Sequence, residues 1–238
     1  MRAVIIGATG GIGRALTEAL AERTDVTQVY ALSRSGETAA HPKVVACEID
    51  ILDEKSVSTA ATSASANGPI ELAIVASGVL SSGPDLQPEK SYRHQSRAAF
   101  EQVFAVNTIG PALVAKHFLP VMPRQGRAVF AALSARVGSI SDNRIGGWHA
   151  YRASKAALNM LIRNYAIEQA RRNPDFIAAS LHPGTVDTDL SAPFQGNVPD
   201  KQLFSPQQSA AHLLSVIDDL TPNNSGKAFD WAGAEIPA

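Results

Sequence analysis

Gly7-Ala8-Thr9-Gly10-Gly11-Ile12-Gly13 is the stretch whose reading decides the fold. An apolar run, Ala3 to Ile6, leads into it, and Gly11 to Arg23 follows with Ile12, Ala15, Leu16, Ala19 and Leu20 at helical spacing. A strand that passes through glycines into a helix gains three things. The chain turns sharply, the bare backbone admits a pyrophosphate, and the helix packs close on the strand. The start of such a helix also offers free N–H groups and the positive end of its dipole to phosphates. The glycines satisfy both G-x-x-x-G-x-G (7, 11, 13) and G-x-x-G-x-x-G (7, 10, 13), not the G-x-G-x-x-G of most dinucleotide folds. A tight turn without a ligand is the plain alternative.

Outward from this turn the same alternation continues. Val26 to Leu32, Val44 to Ile49, Ile70 to Ala76, Ala128 to Leu133, Phe176 to Leu181 and Ala228 to Trp231 read as strands. Glu54 to Ala66, Ala98 to Leu119, Ala150 to Arg172 and Pro206 to Leu220 read as helices, the last with Pro in its first turn. Strands alternating with helices predict an α/β fold, a doubly wound parallel sheet covered by helices on both faces, in one domain spanning 1–238. The longest irregular segment, Thr188 to Ser205, is of a length that usually serves function.

Composition narrows the functional classes. The 238 residues are 45% hydrophobic and 18% charged, so the chain can bury a core and is not disordered. Lys plus Arg number 21 against 22 Asp plus Glu, which leaves no electrostatic basis for a broad nucleic-acid or anionic-membrane surface. The single Cys47 excludes an intrachain disulfide framework and a zinc site built on thiolates, and it reads as a small core residue of a buried strand. The apolar run after Met1-Arg2 ends at Gly7, short of a signal h-region, and stretches such as Leu72 to Ala76 are too short to span a bilayer. A cytoplasmic protein is expected. The six histidines show no i, i+4 metal pairing, and Ser134 lacks the G-x-S-x-G elbow of a hydrolase.

Two further places carry chemistry. The second strand ends at Leu32-Ser33-Arg34. An acidic residue there would bind an adenosine ribose and repel a 2′-phosphate, whereas Arg34 favours the phosphate and hence NADP(H) over NAD(H). A solvated surface arginine is the bland reading. Tyr151 and Lys155 lie four apart on one helix face. A phenol is a poor base at neutral pH. An ammonium about 4 Å away in a medium of effective dielectric near 20 would lower its pKa by up to about 3 units, into the range for general acid–base work. Asn107 continues the apolar stripe of Phe100, Val103 and Phe104, where its amide must find partners. Pro111 lies four residues later and lacks the N–H that would reach the Asn107 carbonyl, so a kink is expected there.

These residues together resemble the short-chain dehydrogenase/reductase family over nearly the whole chain. The likeness rests on the turn at 7–13, Asp50, Asn107, Ser134, Tyr151-Arg152-Ala153-Ser154-Lys155, and Pro183-Gly184 with Thr188. The stretch Ser134-Ala135-Arg136-Val137-Gly138-Ser139-Ile140, then Gly146-Gly147-Trp148, is similar to the C-factor and Sniffer-type carbonyl reductase subgroup. The resemblance implies a Rossmann-type sheet of about seven strands and a Ser–Tyr–Lys–Asn site acting on a small carbonyl or alcohol. Tyr151 would exchange the proton, Lys155 would lower its pKa and hold the nicotinamide ribose, and Ser134 would bond the substrate oxygen. The Asn107 carbonyl would hold a relay water. Gly7, Thr9, Gly10, Gly11, Ile12 and Gly13 would receive the pyrophosphate, Ser33 and Arg34 the adenosine ribose, and Asp50 and Ile51 the adenine. Pro183, Gly184 and Thr188 would position the nicotinamide. Two departures stand out. Val75-Ala76-Ser77-Gly78 replaces N-N-A-G beside the cofactor, so that Gly78, which lets backbone approach it, is kept and the Asn side-chain bonds are lost, and Ser134 lies 17 residues before Tyr151, so that Ser139 is an alternative. A nucleotide-binding signalling protein without turnover, and an epimerase or dehydratase of the extended family, are the rival readings. The small face of Ala153, Ala156 and Ala157 suits close packing in the core, or in a homodimer or homotetramer.

Overall fold

The computed structural model describes residues 1–38, 40–197 and 203–238. Its first half alternates β1 (Arg2–Ile6), α1 (Gly11–Glu22), β2 (Gln28–Ser33), β3 (Val44–Glu48), α2 (Glu54–Ser65) and β4 (Leu72–Val75). Then come α3 (Arg97–Phe104), α4 (Gly110–Phe118), β5 (Ala128–Leu133), α5 (His149–Ala170) and β6 (Phe176–His182). The chain closes with β7 (Thr185–Val186), β8 (Leu203–Phe204), α6 (Pro206–Asp219), β9 (Lys227–Asp230) and β10 (Glu235–Ile236). The main sheet has eight strands in the order β10-β9-β6-β5-β4-β1-β2-β3. All its pairs are parallel except β10 with β9.

Strand residues alternate between two cores, as a sheet covered on both faces requires. Ile5, Ala31 and Ile74 pack with Leu16 and Leu20 of α1 and Leu213 and Ile217 of α6. Ile6, Leu32 and Phe130 pack with Val57 of α2, Phe118 of α4, and Leu158 and Ile162 of α5. β1 has β2 on one side and β4 on the other, so the strand order reverses there. A crevice opens at the carboxyl ends of the strands flanking such a reversal, and the glycine turn leaves β1 into it.

Four expectations change. β10 is a two-residue antiparallel edge, too short to leave a period in the sequence. β3 lies at the other sheet edge, so Cys47 is half-buried rather than a core residue. The helix read over Ala98 to Leu119 is interrupted by a π-helical turn, Ala105–Ile109, in which Gly110 N–H bonds the Ala105 carbonyl. The turn sits where Pro111 withholds its N–H, which is the expected kink in its local form. Finally, Arg97–Val121 is long and apolar enough to cross a membrane (25 residues, mean hydropathy 1.2), although no single apolar run is. In this fold Val103, Val114, Ala115 and Phe118 of that segment are buried against the rest of the protein. The segment read as irregular follows β7 and contains β8 near its end, and the two form a short parallel pair. Its residues 198–202 lie outside those described.

Candidate active site

The glycine turn is built so that nothing but glycine fits at two positions. Gly7 has φ +91°, and a Cβ there would lie 2.9 Å from Ser77 N. A Cβ on Gly13 would lie 2.1 Å from the Gly7 carbonyl oxygen. A Cβ on Gly11 would meet Thr188 Cγ2 at 2.7 Å, so the turn and Thr188 are in contact across the sheet's carboxyl edge. Gly10 precedes α1 as its N-cap and offers no side-chain cap, and the first turn holds no acidic residue. Its dipole is therefore open to an anion. Beside it runs a cleft of about 430 Å³ lined by Gly7, Thr9, Gly10, Ser33 and Arg34, with Asp50, Ile51, Ser77 and Gly78 opposite. Ser77 Oγ is fully buried and has no partner among the described residues. A bare helix start, a turn with no room for side chains and an orphaned hydroxyl fit a dinucleotide.

α5 and the π turn supply the reactive groups. Asn107 is fully buried. Its Oδ1 accepts from Val79 N (2.8 Å), and its Nδ2 donates to Val79 O (2.8 Å) and Ser154 Oγ (3.2 Å). The amide thus fastens the segment after Gly78 to α5, which answers the sequence's demand for partners. Asn107→Leu should strand both polar groups of Val79, at a cost of about 3 kcal/mol. That corresponds to a fall of about 6–12 °C in Tm for a chain of this size, read by calorimetry.

Lys155 Nζ donates to the Leu133 carbonyl at 2.9 Å and lies 5.8 Å from the centre of the Tyr151 ring. A Cβ on Gly78 would be 3.6 Å from that Nζ, so the lysine reaches the wall of the glycine cleft. The expected lowering of the Tyr151 pKa by this ammonium is not what the fold does. Burial pushes the Tyr151 phenol up to about 12, and burial pushes Lys155 down to about 8. The lysine donates to a β5 carbonyl, and the low-dielectric surroundings disfavour both charged forms.

Tyr151 faces a second cavity, of about 410 Å³, that also includes Ile12, Ser134, Pro183, Gly184 and Thr188. Ser134 follows β5 directly, and its Oγ donates to Asn159 Oδ1 at 2.8 Å. Ser139 is buried away from this cavity and accepts from Asp142 N at 3.1 Å. Of the two serines, only Ser134 is placed with Tyr151. Asn159 was missed by sequence reasoning, although it is the next i+4 step on the Tyr151–Lys155 face.

Two other residues shape the start of α5. Trp148 is the one non-glycine residue with positive φ among those described, at +51°. Its ring meets Tyr151 edge-on at 6.2 Å and Phe194 at 5.2 Å. A left-handed tryptophan is strained and persists only where its surroundings hold it. The buried Glu89 does this. Its carbonyl accepts from Trp148 N (2.6 Å), and both carboxylate oxygens lie 3.3 Å from Ala150 N. The carboxylate serves α5 as the cap that Trp148 lacks.

Residues 1–198 match the short chain dehydrogenase family. The chain belongs to the short-chain dehydrogenase/reductase family. A curated relative, an uncharacterized oxidoreductase of Schizosaccharomyces pombe, is 31% identical over 98% of this chain and 96% of its own. The C-signal protein of Myxococcus xanthus is 38% identical over 59% of this chain and 79% of its own. The crystal structure of NADPH-bound carbonyl reductase from chicken fatty liver superposes with a TM-score of 0.86 at 25% identity, covering 100% of this chain and 98% of that one. The chain is thus an oxidoreductase of the short-chain type with a carbonyl-reductase-like fold.

Proposed function

We propose that the protein is a cytoplasmic, single-domain NADP(H)-dependent reductase of ketones or aldehydes, with Ser134, Tyr151, Lys155 and Asn107 as its working residues. The observation that carries this reading is Tyr151. It is a buried phenol, protonated throughout the neutral range, in a cavity shared with Pro183, Gly184 and Thr188. A phenol held as the neutral acid has a proton to give to a carbonyl oxygen as that oxygen gains charge. A bound nicotinamide would supply the hydride for such a reduction. Lys155, at the wall of the glycine cleft, is the donor available to ribose hydroxyls, and Asn107 holds that wall in place. Ser134 would orient the substrate oxygen by turning its one hydroxyl proton from Asn159 Oδ1 to that oxygen. The C-signal relative gives the signalling alternative its one support, and tight NADPH binding without turnover across a broad carbonyl panel is what that alternative requires. A screen of carbonyl compounds followed by NADPH absorbance decides between them.

Arg34 is exposed beside the same cleft and carries the cofactor preference. Arg34→Ala should weaken NADPH at least tenfold, since a hydrogen bond to a charged group contributes about 1.5–3 kcal/mol. NADH affinity should change little. Titration of both nucleotides checks this, and tighter NADH than NADPH binding in the parent protein would overturn the assignment. The partly exposed Ala153, Ala156 and Ala157 remain the face for a homodimer or homotetramer.

A further inference from the structure

The cavity that holds Tyr151 also holds an imidazole with a nitrogen sealed from solvent. His182 ends β6 and lines this cavity. Its Nδ1 is sealed from solvent and has no hydrogen-bond partner among the described residues. Burial pushes the imidazole down to about 4, with Asp230 opposing this and Arg136 reinforcing it. The ring is therefore neutral at neutral pH and carries one proton. An N–H buried without an acceptor is the rarer and costlier orphan. The proton accordingly belongs on Nε2, the nitrogen not sealed away, which makes His182 a donor to the cavity.

The rest of the cavity is poor in such groups. Leu80, Val137, Leu190 and Phe194 are apolar wall, Trp148 adds a single indole N–H, and Arg136 is held by Asp142 at 2.7 Å. Ser134 and His182 end neighbouring strands, with Ser134 N donating to Leu181 O at 2.8 Å. All three side chains line one cavity, so a group bound at His182 lies beside an oxygen held at Ser134 and Tyr151. Asp230, opposite His182 in the β6–β9 register, sets a negative charge against an anionic substituent.

We propose that His182 is a specificity-determining residue. Its Nε2–H receives an uncharged oxygen on the carbon next to the reacting carbonyl, so that the preferred substrates are largely apolar α-oxygenated ketones or aldehydes. This rests on the reductase reading above. The test uses acetophenone and 2-hydroxyacetophenone, which differ by that one oxygen, with NADPH as reductant. The parent protein should favour the hydroxyketone in kcat/KM by about tenfold, equivalent to about 1.4 kcal/mol. In His182→Leu the ratio should fall to within about twofold of unity. His182→Asn keeps a side-chain donor, should retain part of the preference, and covers the case in which the leucine variant does not fold.

A second readout does not depend on turnover. In protein labelled with ¹⁵N-histidine and loaded with NADP⁺, 2-hydroxyacetophenone should shift the His182 Nε2 resonance more than acetophenone does. A preference that survives in His182→Leu, a parent ratio near unity, or a resonance that neither ketone moves overturns the proposal. A shifted resonance with no reduction of either ketone or of any compound in the carbonyl panel would sink the reductase reading while leaving the contact in place.

Discussion

Tyr151→Phe should lower kcat/KM for carbonyl reduction by about 10²–10⁴-fold, the range expected for loss of a general acid. The substitution is conservative in every other respect. Phenylalanine keeps the ring that fills the buried position, the edge-on contact with Trp148 at 6.2 Å, and the place beside Lys155. It removes one hydroxyl, for which the structure gives no hydrogen-bond partner among the described residues. The fold should therefore be unharmed, with Tm within about 2 °C of the parent, because the hydroxyl removed faces the cavity and breaks no hydrogen bond among the described residues. NADPH affinity should stay within about threefold. Steady-state kinetics on a verified ketone, together with nucleotide titration, measures both. Parent-like turnover in the variant would remove Tyr151 from the mechanism.

Gly13→Ala is the second large effect, and it falls on folding and cofactor binding together. Alanine is favoured over glycine in a helix by about 1 kcal/mol, so propensity alone predicts stabilisation. Geometry predicts the reverse. The new Cβ would sit 2.1 Å from the Gly7 carbonyl oxygen, 2.8 Å from its carbon and 3.2 Å from Ala8 Cα. These are backbone atoms of the turn itself, with no flexible end to swing aside. Forcing extra atoms into such a site costs about 1–3 kcal/mol or more, and the turn must open to accept them. We expect a net fall in Tm of about 4–8 °C and at least a tenfold loss of NADPH affinity. Gly10→Ala supplies the steric contrast. Gly10 has an ordinary φ of −70°, and the nearest atom to its Cβ position is the Gly7 oxygen at 3.5 Å. Its effect on Tm should be under about 2 °C. Equal destabilisation by both changes would show that close approach within the turn is not what requires glycine.

Much of the site was legible because it depends on local rules. The glycine turn, the i, i+4 pair of Tyr151 and Lys155, and the break that Pro111 forces near Asn107 each follow from a few consecutive residues. What escaped reading depends on distant chain. Glu89 caps α5 from about 60 positions upstream, and no spacing rule connects a loop carboxylate to a helix start that far away. The left-handed backbone of Trp148 follows two glycines, Gly146 and Gly147, that also have positive φ, yet tryptophan itself gives no sign of it. Asn159 was within reach, since it extends the Tyr151–Lys155 face, but its value appears only when Ser134 is folded against it.

The electrostatics separate the two sources of information most clearly. Composition, alternation and the 7–13 turn were enough to determine a doubly wound sheet with a nucleotide cleft at its reversal, because strand and helix periods and glycine sterics are properties of short segments. The ionisation of Tyr151 and Lys155 was decided only by tertiary structure. Spacing brought the two side chains to one face, but it did not specify that Lys155 would turn to the Leu133 carbonyl or that both groups would lie in an apolar interior. Desolvation is set by everything that surrounds a group, and those surroundings exist only once β5, β6, α5 and the loop bearing Glu89 have come together.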